Sequence, residues 1–420
     1  MPDLQKWDSS YEWKAVTLLG LGFGLVGLDR WIIAPLFPFI MKDLNLSYQD
    51  LGNLVGVLGL CWGVFATLMG GVSDRIGRRK VLIPALVGFS LLSGLSGLAM
   101  GMTSLIMLRA IMGVTEGSYC PTSFAATNEA SKPSRRGFNL GLQQCGFPLF
   151  GLGLGPIVAT QLLAVVPSWR WVFVVVAIPG LILGALMFEV IREAPVHPRP
   201  ADAAPAHKWG AILKNRNIIT SMVALFCAMT GVFVLGAMVP NYLVDYLHLT
   251  PAQMGFVTSA IGFGGFAGQF SMPGISDLLG RKPVAIGGFV GAAVLLRVLI
   301  GIGASPTPLF GALFAVSFFC FGLIAVLTGP IATESAPMGL VSSAVGVIVG
   351  SGEIFGGGAA PSIAGFVAQN YGIQNILYLA LAGVTLGVLV CLFLKETAPR
   401  KIAQNDRGLN VSGLSPVGRG

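Results

Sequence analysis

The apolar positions of this chain gather into long runs. Twelve predominantly apolar stretches follow one another, at about 15–41, 51–72, 81–101, 103–129, 137–164, 170–191, 217–243, 253–275, 283–303, 307–332, 340–369 and 374–394, with short polar loops between them. A run of about 20 apolar residues crosses the hydrocarbon core of a bilayer as a helix. Inside lipid a segment has to satisfy its own backbone polar groups, which a helix does. The pattern therefore predicts an all-α membrane protein of twelve transmembrane helices, numbered here spans 1 to 12. An even count returns the chain to the side on which it began.

The polar positions orient it. Of 26 basic residues, 21 fall in the segments that share a side with the two termini, only Lys42 and Arg170 lie in the opposite loops, and Arg30, Arg109 and Arg297 lie within spans. Basic loops stay on the cytoplasmic face, so both termini are expected to be cytoplasmic and the protein to sit in the cell (inner) membrane. A cleavable leader is not expected, because the first apolar run is too long and no small-residue cleavage site closes it. The longest loop, Arg192 to Arg216, is rich in Pro and Ala and turns amphipathic at Trp209–Lys214. It reads as a linker with a short interfacial helix. The expected organisation is a first six-helix bundle over 1–191, the linker over 192–216, a second bundle over 217–400 and a polar tail over 401–420.

The two bundles repeat each other. Gly-Val-Ser-Asp-Arg-Ile-Gly-Arg-Arg at 71–79 returns as Gly-Ile-Ser-Asp-Leu-Leu-Gly-Arg-Lys at 274–282, with Gly71, Ser73, Asp74, Gly77 and Arg78 each recurring 203 positions on. Leu44–Gly52 is answered by Leu247–Gly255 at the same offset, and Glu129 and Pro156 by Glu334 and Pro361 at an offset of 205. Such parallel repeats are related by an axis along the membrane normal. The architecture, with Gly-x-Ser-Asp-x-x-Gly-Arg-Arg/Lys after span 2 and again after span 8, resembles the major facilitator superfamily over about residues 10–400. The resemblance implies two pseudo-symmetric six-helix bundles. It also implies a gating role for Asp74, Arg75, Gly77 and Arg78 and for Asp277, Gly280 and Arg281. Locally, Asp74 and Asp277 stand near helix ends and basic partners, where a carboxylate can latch two bundles in one state and release them in another. A loop that only fixes topology through its arginines is the plainer alternative.

Composition narrows the classes. The chain is 54% hydrophobic and 10% charged, against roughly 25% charged in soluble domains. The formal net charge of +8 is spread over short loops, which argues against a nucleic-acid-binding face. All six cysteines lie in apolar segments without a CxxC pair, so neither a zinc site nor a disulfide framework is suggested. No cofactor is expected beyond a coupling proton, with sodium left open, and the expected state is a monomer in the bilayer.

Charges at bilayer depth are costly and therefore informative. Span 1 carries Asp29-Arg30 at mid-length; span 4 carries Arg109 and Glu116, seven apart and so on one helix face. In the fold implied by the resemblance, spans 1, 4, 7 and 10 line a central cavity, and these four charges are expected to face it and one another. The repeat fails here. Val232 and Phe233 stand where Asp29 and Arg30 would recur, and span 10 offers Phe318, Phe319 and Phe321. Guanidinium is permanently charged and matches a carboxylate with two parallel hydrogen bonds, so two arginines suit an anionic substrate. Burial favours a neutral carboxyl while a neighbouring guanidinium favours a charged one. A substrate landing on the arginine would therefore favour proton uptake.

Asp-Arg in mid-span 1 with Arg-x-x-x-Gly-x-x-Glu-Gly in span 4 is similar to the anion:cation symporter family, which takes up sugar acids and other organic carboxylates with protons. The resemblance implies protonation at Asp29 and Glu116 and substrate contact or ion pairing at Arg30 and Arg109. It also shows a departure. Members that carry sugar acids tend to have Tyr and Gln in span 2 where this chain has Trp62 and Ala66, which points to a less hydroxylated, flatter or more apolar carboxylate. Structural salt bridges are the alternative for the quartet. Glu353 in span 11, Gln143 and Gln144 in span 5 and Asn241 in span 7 are further candidates for substrate contact, and Arg297 reads as snorkelling. Gly151-Leu-Gly-Leu-Gly-Pro156 resembles a motif of drug:proton antiporters, with close helix packing the simpler use of its glycines. The expected function is import of a small organic carboxylate with protons by a rocking of the two bundles. A proton antiporter exporting drugs or metabolites is the runner-up. An anion-sensing receptor lacks a signalling domain, and an enzyme lacks a metal cluster, nucleophile elbow or cofactor loop.

Overall fold

A computed structural model of the chain describes residues 8–193, 209–337 and 341–402; the greater part of the linker and the tail from 403 lie outside the described residues. Among the described residues the fold is all-α, without a strand. The spans are Ser9–Leu44, Tyr48–Ile76, Arg78–Ser96, Met102–Ala130, Pro133–Leu163, Trp169–Val190, Arg216–Tyr246, Pro251–Leu279, Arg281–Ile300, Pro306–Ser335, 341–371 and Ile373–Leu392. Nine of these are apolar enough along an 18-residue window to be recognised as spanning by length and hydropathy. Spans 4, 8 and 11 reach the same length with more Gly and polar positions. The amphipathic segment of the linker forms a short helix, Trp209–Leu213.

The sequence repeat is a repeat of local geometry. Before spans 2 and 8, Asn45 and His248, 203 apart, both take positive φ, at 51° and 56°. Each is followed by a capping box, Ser47 with Asp50 and Thr250 with Gln253, in which hydroxyl and N3 side chain satisfy two free N–H groups at the helix start. At the other end Gly77 and Gly280 have φ of 103° and 105°, a conformation that glycine reaches without strain. A carboxylate closes both turns: Glu193 accepts from Arg79 N, and Glu396 from the backbone N–H groups of Arg281 and Lys282.

Glycine lets the halves meet. On span 2, a Cβ at Gly52 or Gly59 would strike the backbone of Pro361 or Gly357 on span 11; on span 8, one at Gly262 would strike Gly153 and Leu152 on span 5. Both partner helices widen into a π turn at the crossing, Leu149–Leu154 and Glu353–Ala359, each followed closely by a proline, Pro156 or Pro361. A proline leaves the carbonyl four residues before it without its helical donor. The Gly151–Pro156 segment is thus used in packing.

These contacts belong to one end of the molecule. Away from the termini, the Tyr48 hydroxyl donates to Asp245 at 3.0 Å, Tyr48 N to Gln369 at 3.2 Å and Gln49 Nε2 to the Ser362 carbonyl at 3.1 Å, all between halves. At the end carrying residues 8 and 402, the hydrogen bonds among the described residues stay within one half, and a Cβ at Gly137, Gly141, Gly274 or Gly346 would meet open space. Among the described residues the two bundles are therefore joined on the far side and stand apart toward the end that carries the termini.

Candidate functional site

Span 1 bends where its chemistry sits. Its first helical segment ends at Trp31 and a second starts at Ile33; Pro35 has no N–H to offer the Trp31 carbonyl four residues back. Asp29 and Arg30 occupy this bend and are buried. The four expected charges lie near enough to act on one another electrostatically, but among the described residues none of them hydrogen-bonds the side chain of another. Asp29 turns into its own bundle, where Ser93 Oγ of span 3 donates to Oδ1 at 2.8 Å. Arg109 also stays inside that bundle, and its Nη1 donates to the carbonyls of Asp29 and Arg30 at 3.2 and 3.0 Å. It braces the bend. Glu116 is fully buried, and neither of its oxygens has a hydrogen-bond partner.

Arg30 alone reaches across to the other bundle. Its Nη2 donates to Glu353 Oε2 at 2.9 Å, with side chains 1% and 10% exposed. Among the described residues this is the ion pair that joins the two halves within the bilayer. Glu353 opens the π turn of span 11, a feature often found where a helix does functional work. A Cβ at Gly357 would meet both Glu353 Oε2 and Arg30 Nη2, so a glycine makes room for the pair. Four rings surround the guanidinium: Phe233 at 5.0 Å, Trp31 and Trp62 at 5.7 Å and Phe147 at 5.9 Å. Phe233 is the residue that replaces Arg30 in the repeat. Pseudo-symmetry brings the two equivalent positions face to face, so the arginine lies against its own apolar counterpart. The expected aromatic wall thus comes from span 7. The rings of Phe319 and Phe321 instead pack inside the second bundle, against Gly291 and Gly265, and Phe318 meets Gly268 there through its backbone.

The remaining candidates are placed as follows. Gln143 is buried and donates to Ser123 Oγ at 2.9 Å, within the first bundle; Gln144 is half-buried. Asn241 donates to Asp245 at 3.0 Å, and Asp245 also accepts from Tyr48, so Asn241 belongs to the closed end. Arg297 is exposed. In the gating motif, Arg78 bonds Glu129 at 3.1 Å and Ser73 at 2.7 Å, and Arg75 is exposed. Asp74's side chain lies outside the described residues. In the second copy Arg281 reaches Asp277 at 2.6 Å, Glu334 at 2.8 Å and Ser276 at 2.6 Å. Burial pushes the carboxyl of Glu396 up, but the backbone N–H groups of Ala398, Arg281, Lys282 and Thr397 together hold it below its ordinary value.

Sequence reasoning missed several partners. Glu193 and Glu396 were findable, since they stand 203 apart. Ser93 had no signal beyond being a small hydroxyl in an apolar span. Glu12, fully buried in the first turn of span 1, accepts from Arg135, Lys132 N and Asn139.

A bundle of spanning helices in two equivalent halves, parted at one end and carrying a buried charge pair between them, is the framework of a membrane carrier. The model of the Major Facilitator Superfamily matches residues 19–233 and 221–419. The chain belongs to this family; it is a membrane transporter and not an enzyme. It is similar to the hexuronate transporter of Bacillus subtilis strain 168, 29% identical over 86% of this chain and 88% of that protein. It is also similar to the D-galactonate transporter of Escherichia coli O6:H1, 25% identical over 87% and 91%. Among solved structures, a bacterial homologue of the human lysosomal transporter Spinster, inward-facing and occupied, superposes with a TM-score of 0.68. It is 17% identical over 93% of this chain and 96% of that one, a likeness of fold.

Proposed function

We propose that the protein imports a small organic carboxylate together with protons across the cell membrane, both termini lying in the cytoplasm. One observation carries this reading: a permanently charged guanidinium, buried at mid-span between the two bundles, already holds a carboxylate, that of Glu353. An arriving substrate carboxylate competes for the same N–H donors. Relatives named for hexuronate and D-galactonate carriage support an organic anion, and the 21-to-2 distribution of basic residues supports the orientation.

The other charges take roles around Arg30. Arg109 fixes the bend that presents Arg30. Glu116, buried without a hydrogen-bond donor among the described residues, is one proton site, since taking up a proton relieves the cost of burying its charge. Asp29, held by Ser93, is the second proton site. Substrate and proton load together from the outer side, in the opposite state to this one, and leave through the end that is parted here. The glycines that suggested drug export are occupied in helix packing, which leaves import the better supported direction.

Reconstitution in liposomes tests the proposal. Uptake of an organic acid is expected to rise with an inward proton gradient. Glu116→Gln should retain exchange of labelled for unlabelled substrate while losing accumulation driven by the gradient. Uptake indifferent to the gradient would remove proton coupling, and unchanged accumulation in the variant would remove Glu116 from it.

A further inference from the structure

The surroundings of Arg30 say more than that the substrate is an anion. Its guanidinium has one hydrogen-bond acceptor, Glu353, and four ring faces between 5.0 and 5.9 Å. The Nε and Nη1 atoms of Arg30 and the indole nitrogens of Trp31 and Trp62 are buried and have no acceptor among the described residues. Two indole donors and two guanidinium nitrogens are thus left over around one carboxylate, while the walls are aromatic. No hydroxyl or amide side chain bonds the guanidinium among the described residues.

Such a site suits a ligand with acceptors at one end and a flat apolar body. A polyhydroxylated acid would press its hydroxyls against ring faces, and each buried hydroxyl left without a partner costs about ten-fold in affinity. A planar ring loses nothing there and gains from stacking against rings and against the guanidinium plane. Trp62 contributes directly to this box, at the span 2 position where the resemblance associates Tyr with sugar-acid carriers.

We propose that the substrate is a planar aromatic carboxylate, which takes Arg30 from Glu353 and lays its ring among Trp31, Trp62, Phe147 and Phe233. Glu353 is then a resident stand-in for the substrate's carboxylate. It keeps the guanidinium paired when the carrier is empty and competes with substrate for it. The inference rests on the reading of Arg30 as the carboxylate-binding residue.

The test uses the purified full-length protein in detergent micelles, with benzoate and galacturonate as probes and tryptophan fluorescence and thermal shift as readouts. Benzoate is expected to perturb the fluorescence saturably and to bind at least ten-fold more tightly than galacturonate. Phe233→Leu, which keeps that face apolar, should weaken benzoate at least three-fold more than it weakens galacturonate. Glu353→Gln should tighten benzoate by removing the competing charge. Galacturonate binding as well as or better than benzoate, or a Phe233→Leu variant that weakens both equally, overturns the aromatic assignment alone. Binding of neither acid to protein that unfolds cooperatively overturns the carboxylate reading beneath it.

Discussion

Removing Arg30 separates what the buried pair does for the fold from what it does for transport. Arg30 and Glu353 approach to 2.9 Å with side chains 1% and 10% exposed. At an effective dielectric of about 20, their attraction is roughly 6 kcal/mol before desolvation. Desolvating two charges consumes much of that, so the pair adds little net stability over apolar packing. Breaking it is another matter: Arg30→Ala leaves Glu353 buried and unpaired, at a cost of about 3–5 kcal/mol. Arg30→Ala with Glu353→Ala leaves no orphaned charge and should recover most of the loss. In a double-mutant cycle of unfolding in mixed micelles, the coupling energy is expected to be about 2–3 kcal/mol. Binding of organic acid should be lost in both variants, because the donors are gone in both. A double variant as unstable as Arg30→Ala would mean that the pair does not act as a unit. Organic-acid binding retained by Arg30→Ala would refute the assignment of the guanidinium.

Two further outcomes follow from the packing and the caps. Gly262→Val would drive a side chain into the backbone of Gly153 and Leu152. Overpacking of about 1–3 kcal/mol should shift the population some 5- to 150-fold toward a state parted at that end. The shift would be read as faster labelling of a cysteine placed at Ser362 in a background without the native cysteines. Gly274→Val, on the same helix but facing open space, is the control, and equal labelling in the two would contradict the crossing described. Glu396→Ala removes the acceptor for the N–H groups at the start of span 9 and should cost about 1 kcal/mol, as loss of a cap does. Because its carboxyl is held below the ordinary 4.5, its stabilisation is fully present above that pH and fades as pH falls through the lowered folded value. The wild type should lose stability in that acid range, and Glu396→Ala should show a flatter acid limb in a pH series of thermal unfolding.

The chain's own pattern was enough for the framework. Apolar runs of spanning length dictate helices because lipid offers the backbone no partner. The 203-residue offset of Gly-x-Ser-Asp-x-x-Gly-Arg implied two equivalent halves, and the same offset recurs in Asn45 and His248, in the two capping boxes and in Gly77 and Gly280. These are local devices, written in neighbouring residues and therefore readable from them. The failure of the repeat at Asp29, Arg30, Arg109 and Glu116 also showed where charge is buried. It did not show what each charge touches. Glu353 and Arg30 are 323 residues apart, Ser93 takes Asp29 from a helix that carries no charge within its apolar stretch, and Arg109 gives Nη1 to backbone carbonyls. Helical period places a side chain on a face, but only the crossing of helices decides which face meets which. Here glycine and π turns set those crossings, and the two-fold relation laid Phe233 against Arg30. A salt bridge between bundles is a property of their assembly, so no window of sequence around either partner contains it.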